Sequence, residues 1–327
     1  MFRTHPCIKK LDKPVLSYKD SVEGSALTYN AGVAKWKGRY VMLFRNDYGD
    51  WRIKQHGMKI DIRVAFSDDG INWDVQPYPV LEQVKNDDCI WAYDPRITVI
   101  DDKAYVCFAI DTLHGVRGGI AVTEDFKEFE ILHITVPDNR NMVLFPEKID
   151  GKFVRLERPM AENGRYWLKG FDIWMSKSPD LKYWGEGELV LCNEDVPFSE
   201  LKIGPAAPPV KTEKGWLTLF HAVRNDENGG KLCWNNVVWD KYYCAGIMLL
   251  DLKDPSKVIG ICDEPILVPD REFETDIGYR VNTVFPGGMV LEDDGEVKIY
   301  YGAADTFECL ATARVEDLLA LCKPVEK

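Results

Sequence analysis

The sequence predicts an all-β protein, a five-bladed β-propeller with a short C-terminal helix, on three observations. Long helical periodicity is nearly absent, one turn-then-strand phrase returns five times, and a second turn phrase follows three of those copies. Short runs of β-branched and aromatic residues lie between Gly, Asp and Pro turn signals, which suits pleated, half-buried strands.

The first phrase is a polar turn followed by an alternating apolar strand. It reads KWKGRYVMLFR at 35–45, DDKAYVCFAID at 101–111, KIDGKFVRLER at 148–158, KTEKGWLTLFHA at 211–222 and EDDGEVKIYYGAAD at 292–305. The second joins a strand end, an acidic or Ser-rich turn and an aromatic: AFSDDGINW at 65–73, AVTEDFKEF at 121–129 and MSKSPDLKYW at 175–184. After the fourth copy its place is taken by MLLDLKDPSKVIG, again strand, Asp/Pro turn and strand. A spacing of roughly 60 to 65 residues exceeds that of common propeller repeats and leaves room for long loops on one face.

A unit that cannot bury its own sheet faces must stack on its neighbours, and four-stranded units do so radially. Residues 1–327 are therefore read as a single propeller; a β-sandwich, or two, is the alternative, but would not need the phrase five times. Helix is expected only near the C-terminus, where ARVEDLLALCKPVEK places apolar residues at helical spacing before a Pro.

Composition bounds the function. The formal net charge of −12 speaks against nucleic acid or an anionic membrane surface as a partner. The start, MFRTHPCIKKLDKPVLSY, shows no apolar leader core, and no run approaches a membrane span, so a cytoplasmic protein is expected. Nine scattered cysteines without a CxxC pair fit reduced thiols, and five histidines without HxH or HExxH spacing give no metal site. The aromatic share of 12% serves sheet packing or sugar stacking equally well.

In a propeller the strands nearest the axis deliver their ends to a central funnel, so polar groups ending the repeated strands are site candidates. These are Arg45, Asp47, Asp111, Arg158, His221, Arg224 and Asp305. Each alone is equally a solvated loop charge. In WAYDPRITVID, Asp94 stands between Tyr93 and Pro95, with Arg96 close by; the proline is expected to hold Asp94 extended, for catalysis or merely as a turn. Cations also gather against the net charge: Arg140, Lys148, Arg155 and Arg158 in one hairpin-like unit, Lys202 before a Gly/Pro turn, and His221 with Arg224. Such a set builds an anion pocket, or lies on exposed strand faces.

The phrases YDPR at 93–96, NRNMVLFPEKIDGKFVRLERP at 139–159, LKIGPAAPPVKTEKGWLTLFH at 201–221, LLDLKDPSKV at 249–258, NTVFPGG at 282–288 and YYGAADT at 300–306 occur in this order. Together they resemble glycoside hydrolase family 130, the β-mannoside phosphorylases, from about Asn30 to Thr306. The resemblance implies a five-bladed catalytic propeller that cleaves a β-mannoside with inorganic phosphate as co-substrate, releasing α-D-mannose 1-phosphate with inversion and without metal or other cofactor. It implies that Asp94 is the general acid, acting through the 3-hydroxyl of the mannosyl unit. It places phosphate on Arg140, Arg158, Lys202, His221 and Tyr243, and the sugar on Asn30, Arg45, Asp47, Tyr93 and Asp305. One protein carboxyl suffices, because phosphate replaces the water and base of an inverting hydrolase.

The sequence departs from the family pattern at Ala31, where many relatives carry Ser, in the long loop at 46–60 and in KLCWNNVVWDKYY at 231–243. Both loops are expected to shape the acceptor side, leaving linkage and leaving sugar open, with homo-oligomer formation. Two other readings stand beside the phosphorylase: a hydrolase of the same fold, which would carry carboxylates in place of the cations, and a non-catalytic sugar-binding propeller, which would not need Asp94 with an anion pocket.

Overall fold

The computed structural model describes residues 2–49, 59–84, 88–160, 170–233 and 238–325. Most of loop 46–60, and residues 234–237 of the 231–243 segment, lie outside the described residues.

Five antiparallel sheets follow one another along the chain, each running outward from the axis. The first comprises Ser25–Trp36, Arg39–Tyr48, Ile60–Ser67 and Asp74–Val80; the second Cys89–Ile100, Lys103–Thr112, Gly115–Thr123 and Glu130–Ile134. The third comprises Asn139–Leu144, Phe153–Pro159, Ile173–Ser178 and Gly185–Leu191. In the fourth the inner strand is interrupted: Lys202–Pro205 and Val210–Thr212 both pair with Gly215–Asn225, followed by Lys241–Leu250, Val258–Ile261 and, at the outer edge, Lys323–Pro324. The expected Gly/Pro turn after Lys202 is this interruption, with Gly204 and Pro205 still in the strand. The fifth comprises Val284–Leu291, Glu296–Ala303 and Phe307–Arg314, completed by Lys9–Lys10.

The five repeated phrases are not the strands nearest the axis, as the sequence suggested, but the second strands. Each polar turn is the hairpin joining first to second strand, so the second strand returns beside the start of the first. Its charged end still reaches the axial site: Arg45 lies opposite Tyr29, Arg158 opposite Arg140 and His221 opposite Gly204.

The second phrase joins the third and fourth strands, and its chemistry repeats. Ser67, Thr123 and Ser178 accept the amide hydrogens of Gly70, Phe126 and Leu181 at 2.8–2.9 Å. Asp69, Asp125 and Asp180 each accept two amides just beyond. The side chains thus satisfy the turn backbone, as short polar residues do in Asx and Ser/Thr turns. The C-terminal helix spans Val315–Leu321 as expected, and a single further turn, Glu272–Thr275, was not anticipated. That turn is too short to show a period, and Glu274 in it is recruited for a tertiary contact.

Blades pack face to face through apolar residues such as Leu156, Leu219, Ile247 and Ile299 in one cluster and Leu43, Val64, Val106 and Phe108 in another. Near the axis the inner strands approach so closely that side chains must be absent. A methyl on Gly32 would lie 2.7 Å from the Arg96 Cα, and one on Gly287 would overlap the Ala31 carbonyl.

The ring is closed by the N-terminal strand, with Lys9 opposite Thr312 and Lys10 opposite Ala311. The Lys10 ammonium donates to the Val268 carbonyl, to Asp270 and to both carboxylate oxygens of Glu274, at 2.6–2.9 Å. Glu274 is wholly buried and also accepts the Tyr301 hydroxyl and the amides of Asp270 and Arg271. A buried ion pair with all its valences filled fastens the closure.

Candidate active site

The inner strands of the first three blades break register at equivalent places, between Tyr29 and Gly32, Tyr93 and Arg96, and Arg140 and Val143. Each break holds a left-handed Asx residue: Asn30 at φ 53°, Asp94 at φ 53° and Asn141 at φ 60°. The expectation that Pro95 keeps Asp94 extended is therefore corrected. The bulge sets two residues, 94 and 95, against one on the neighbouring strand. The first turns left-handed, a conformation that short polar side chains tolerate. The bulge re-aims Asp94 toward its neighbours at the axis.

There Asp94, nearly buried, accepts from Asn30 Nδ2 at 3.2 Å through Oδ1, and Arg140 Nη2 stands 3.8 Å from Oδ2. Arg140 lies over the Tyr93 ring, whose hydroxyl donates to Asp111 at 2.7 Å. Asp111 also accepts from Trp91 Nε1, so this predicted strand-end carboxylate serves to orient the aromatic wall.

Arg158 is buried and donates through Nη1 to His221 Nε2 at 3.0 Å. Burial, then the Arg140 charge, lowers its guanidinium to about 9. Lys202 sits over the Tyr243 ring, and burial, then Arg158 and Arg140, bring its ammonium down to about 6. Among the described residues no carboxylate pairs with Lys202, and Arg158 Nε and His221 Nδ1 are buried without a hydrogen-bond partner. Crowded cations with orphaned donors are arranged for an anion from outside the protein. His221 itself is fully buried, and burial, then Arg158, holds its pKa well below the usual value, so the ring is neutral. It contributes an acceptor for Arg158, not the positive charge its residue type suggested.

On the other side Arg45 forms a bidentate pair with Asp47 at 2.7 and 2.8 Å and stacks between the rings of Tyr29 and Tyr93. Asp305 pairs with Arg280 at 3.0 Å; burial pushes its carboxyl up, while Arg280 and Arg45 pull it back. The polar groups of Arg45, Asp47 and Asp305 beside aromatic faces suit a sugar, whose hydroxyls need directional partners and whose C–H face stacks on rings.

The fold thus gathers Asn30, Arg45, Asp47, Tyr93, Asp94, Arg140, Arg158, Lys202, His221, Tyr243 and Asp305 into one cluster of mutually neighbouring groups. Other basic candidates go elsewhere. Arg155 pairs with Glu157 and packs on Trp184 inside the third blade, and Lys148 lies over Phe153. Arg224 pairs with Glu200 and Glu227 at the edge of an off-axis cavity of about 870 Å³, which the N-terminal segment also lines. Asp172, Cys192 and Glu194 bring ligand-type atoms within 4.8 Å of one another at strand ends of the third blade.

Three contributors were missed. Arg280 stands two residues before the NTVFPGG phrase, and Trp239 stacks at 6.1 Å on Tyr243 and under Arg280. Gly204 leaves the space the anion pocket needs: a methyl there would lie 2.8 Å from His221 Nε2 and 3.1 Å from Arg158 Cδ. The glycine in LKIGP was the available signal.

Residues 3–324 match the sequence family described as β-1,4-mannooligosaccharide phosphorylase, glycoside hydrolase family 130. The chain is 32% identical over 318 residues to a β-1,4-mannooligosaccharide phosphorylase of Ruminococcus albus, covering 93% of this chain and 88% of the relative. It is 33% identical over 319 residues to a 1,2-β-oligomannan phosphorylase of Thermoanaerobacter sp., covering 95% and 98%. The solved β-1,2-mannobiose phosphorylase from Listeria innocua, complexed with β-1,2-mannobiose, superposes with a TM-score of 0.82 at 25% identity, covering 96% and 99%. With the family model matched over nearly the whole length and the Ruminococcus albus and Thermoanaerobacter sp. relatives above 30% identity over most of both chains, the chain belongs to glycoside hydrolase family 130.

Proposed function

We propose that the protein phosphorolyses a β-mannoside. Phosphate attacks the anomeric carbon, the glycosidic bond breaks with inversion, and the products are α-D-mannose 1-phosphate and the shortened acceptor. Asp94 supplies the proton that the departing oxygen requires, relayed through the 3-hydroxyl of the mannosyl unit. Arg140, Arg158 and Lys202 hold phosphate, with Tyr243 as a hydroxyl donor and His221 fixing Arg158. Arg45, Asp47, Tyr93, Asn30 and Asp305 hold the sugar. No metal or organic cofactor enters this chemistry.

The observation that carries the reading is the placing of Arg140 3.8 Å from the Asp94 carboxylate. One guanidinium then faces both the acid and the anion pocket, so a phosphate bound there sits within reach of a sugar held by Asp94. A hydrolase would need a second carboxylate to activate water; on the anion-pocket side the neighbours of Asp94 are Arg140 and Arg158, with Lys202 beside them, while the carboxylate of Asp305 is engaged by Arg280.

The relatives' names span β-1,4 and β-1,2 linkages, so the test uses both. Purified protein is incubated with β-1,4- and β-1,2-mannobiose and with mannosyl-glucose, with and without phosphate. Mannose 1-phosphate appearing only with phosphate is expected. Free mannose at an equal rate without phosphate would overturn the reading in favour of hydrolysis. Synthesis from mannose 1-phosphate with a panel of acceptors then identifies the leaving sugar.

A further inference from the structure

Two buried charged residues outside the cluster described above take hold of a single peptide. Arg96 Nη1 donates to the Asn30 carbonyl at 3.3 Å, and the Ala31 amide donates to Glu308 Oε2 at 3.0 Å. The Asn30 carbonyl and the Ala31 amide are the two polar ends of one planar peptide group, which is thereby held at both ends. The same Arg96 Nη1 donates to the Pro95 carbonyl at 2.8 Å, and Nε to the Ala206 carbonyl of the fourth blade at 2.7 Å. One guanidinium therefore grips both bulges, the one presenting Asn30 and the one presenting Asp94, and braces them against the far side of the ring.

Both bulges need such support. Asn30 and Asp94 stand at φ 53°, a region that non-glycine residues enter at a cost unless neighbours over-determine it. Arg96 is 2% exposed and Glu308 fully buried, so neither reaches solvent or competes for it. The Asn30 amide that donates to Asp94 hangs from the peptide they fix.

We propose that Arg96 and Glu308 are positioning residues for proton delivery: they clamp the Asn30–Ala31 peptide and the Asp94–Pro95 bulge, so that the Asn30 amide and the Asp94 carboxyl keep their mutual geometry. The inference rests on the reading of Asp94 as the general acid. Burial, which pushes the Glu308 carboxyl up to about 8, leaves its acceptor oxygen available to the Ala31 amide in either protonation state. Loosening the clamp displaces the acid by a fraction of an ångström without removing it, and displacements on that scale cost catalysis much more than binding.

The experiment compares Arg96→Lys, Glu308→Ala and Glu308→Gln with Asp94→Asn on a natural β-mannoside and on a nitrophenyl β-mannoside, whose leaving group departs with little protonation. Arg96→Lys and Glu308→Ala are expected to lose about 10- to 100-fold in kcat on the natural substrate, with KM for phosphate within about twofold, and much less on the activated one. Glu308→Gln, which keeps an acceptor oxygen, recovers most of the loss. Equal losses on both substrates in soluble, cooperatively melting variants would overturn the clamp and leave a purely structural role, as would an unchanged kcat. If Arg96→Lys does not fold, the Glu308 pair decides by the same criterion. Asp94→Asn separates the two ideas: equal loss on both substrates there removes the acid assignment itself, whereas selective loss there without selective loss in the clamp variants removes only the clamp.

Discussion

Arg158 reaches across from the third blade to the fourth and donates to Nε2 of His221, which is thereby fixed as the neutral tautomer with its proton on Nδ1. The ring that a sequence reader counts as a cation acts as the seat of one. Replacing it removes the acceptor of a buried charged donor, a loss of about 1.5–3 kcal/mol. His221→Phe is expected to raise KM for phosphate about 10- to 100-fold while KM for the mannoside changes little. Initial rates with each substrate varied in turn check this.

Lys202 gives the pocket a pH dependence with a definite sign. Its ammonium is pulled down to about 6 by burial and by Arg158 and Arg140, so above that pH the free protein holds it neutral. In the folded chain this base binds fewer protons than in the unfolded chain between about 6 and its ordinary value near 10.5, so its burden on stability eases as pH rises through that window. An entering dianion restores the proton. Sulfate, a dianion throughout, should inhibit competitively with phosphate and weaken as pH rises from 6 to 8. Calorimetry in buffers of differing ionisation enthalpy should show proton uptake on sulfate binding, abolished in Lys202→Met.

Gly204→Ala places a methyl against the His221 ring and the Arg158 stem. The cost expected is that of overpacking, about 1–3 kcal/mol, together with a weakened phosphate site. Denaturant unfolding with and without phosphate distinguishes the two: stabilisation by phosphate should shrink in the variant.

The turn carboxylates predict acid behaviour. The backbone amides they accept lower Asp69, Asp125 and Asp180 below the usual value of 3.8. A depressed acid stabilises the fold above its unfolded pKa, and that stabilisation is lost as pH falls through the folded one. The difference in Tm between the native protein and Asp125→Asn should therefore be largest near neutrality and shrink below about pH 4, which thermal melts across pH 3 to 7 would show.

The ring fastener offers a stability test. Lys10→Met would leave Glu274 charged, wholly buried and without its cation, a change that costs about 3–5 kcal/mol. Urea unfolding measures it. Glu274→Gln in the same chain should recover part of the loss by removing the stranded charge.

The propeller was legible because its turns repeat: the Gly-containing hairpins and the Ser/Thr–Asp turns are local devices whose residue types declare their geometry. What periodicity could not tell was which strand of each blade the phrase marked, since inner and second strands are both buried and both alternate. Asp94, Arg140, Arg158 and Lys202 were legible through phrases shared with a known family. The left-handed bulge at Asp94 was not, because the rule for residues preceding proline concerns local sterics, whereas the bulge is set by pairing with Cys107 and Ala109 of the next strand. The neutrality of His221, the space at Gly204 and the grip of Arg96 all arise from residues brought together by closure of the ring.

That closure also fixes an order of events for the newborn chain. The strand at Lys9–Lys10 is synthesised about 300 residues ahead of its partner, Phe307–Arg314. At about 5–20 residues per second the early strand waits roughly 15–60 s for its mate. The pairing that ends the wait joins strands about 300 residues apart, the kind of contact that loop entropy makes slow. From the emergence of Phe307–Arg314 until that pairing forms, its edge is open to a second nascent chain's strand, so the yield of active protein should depend more steeply on expression rate than its final stability would suggest.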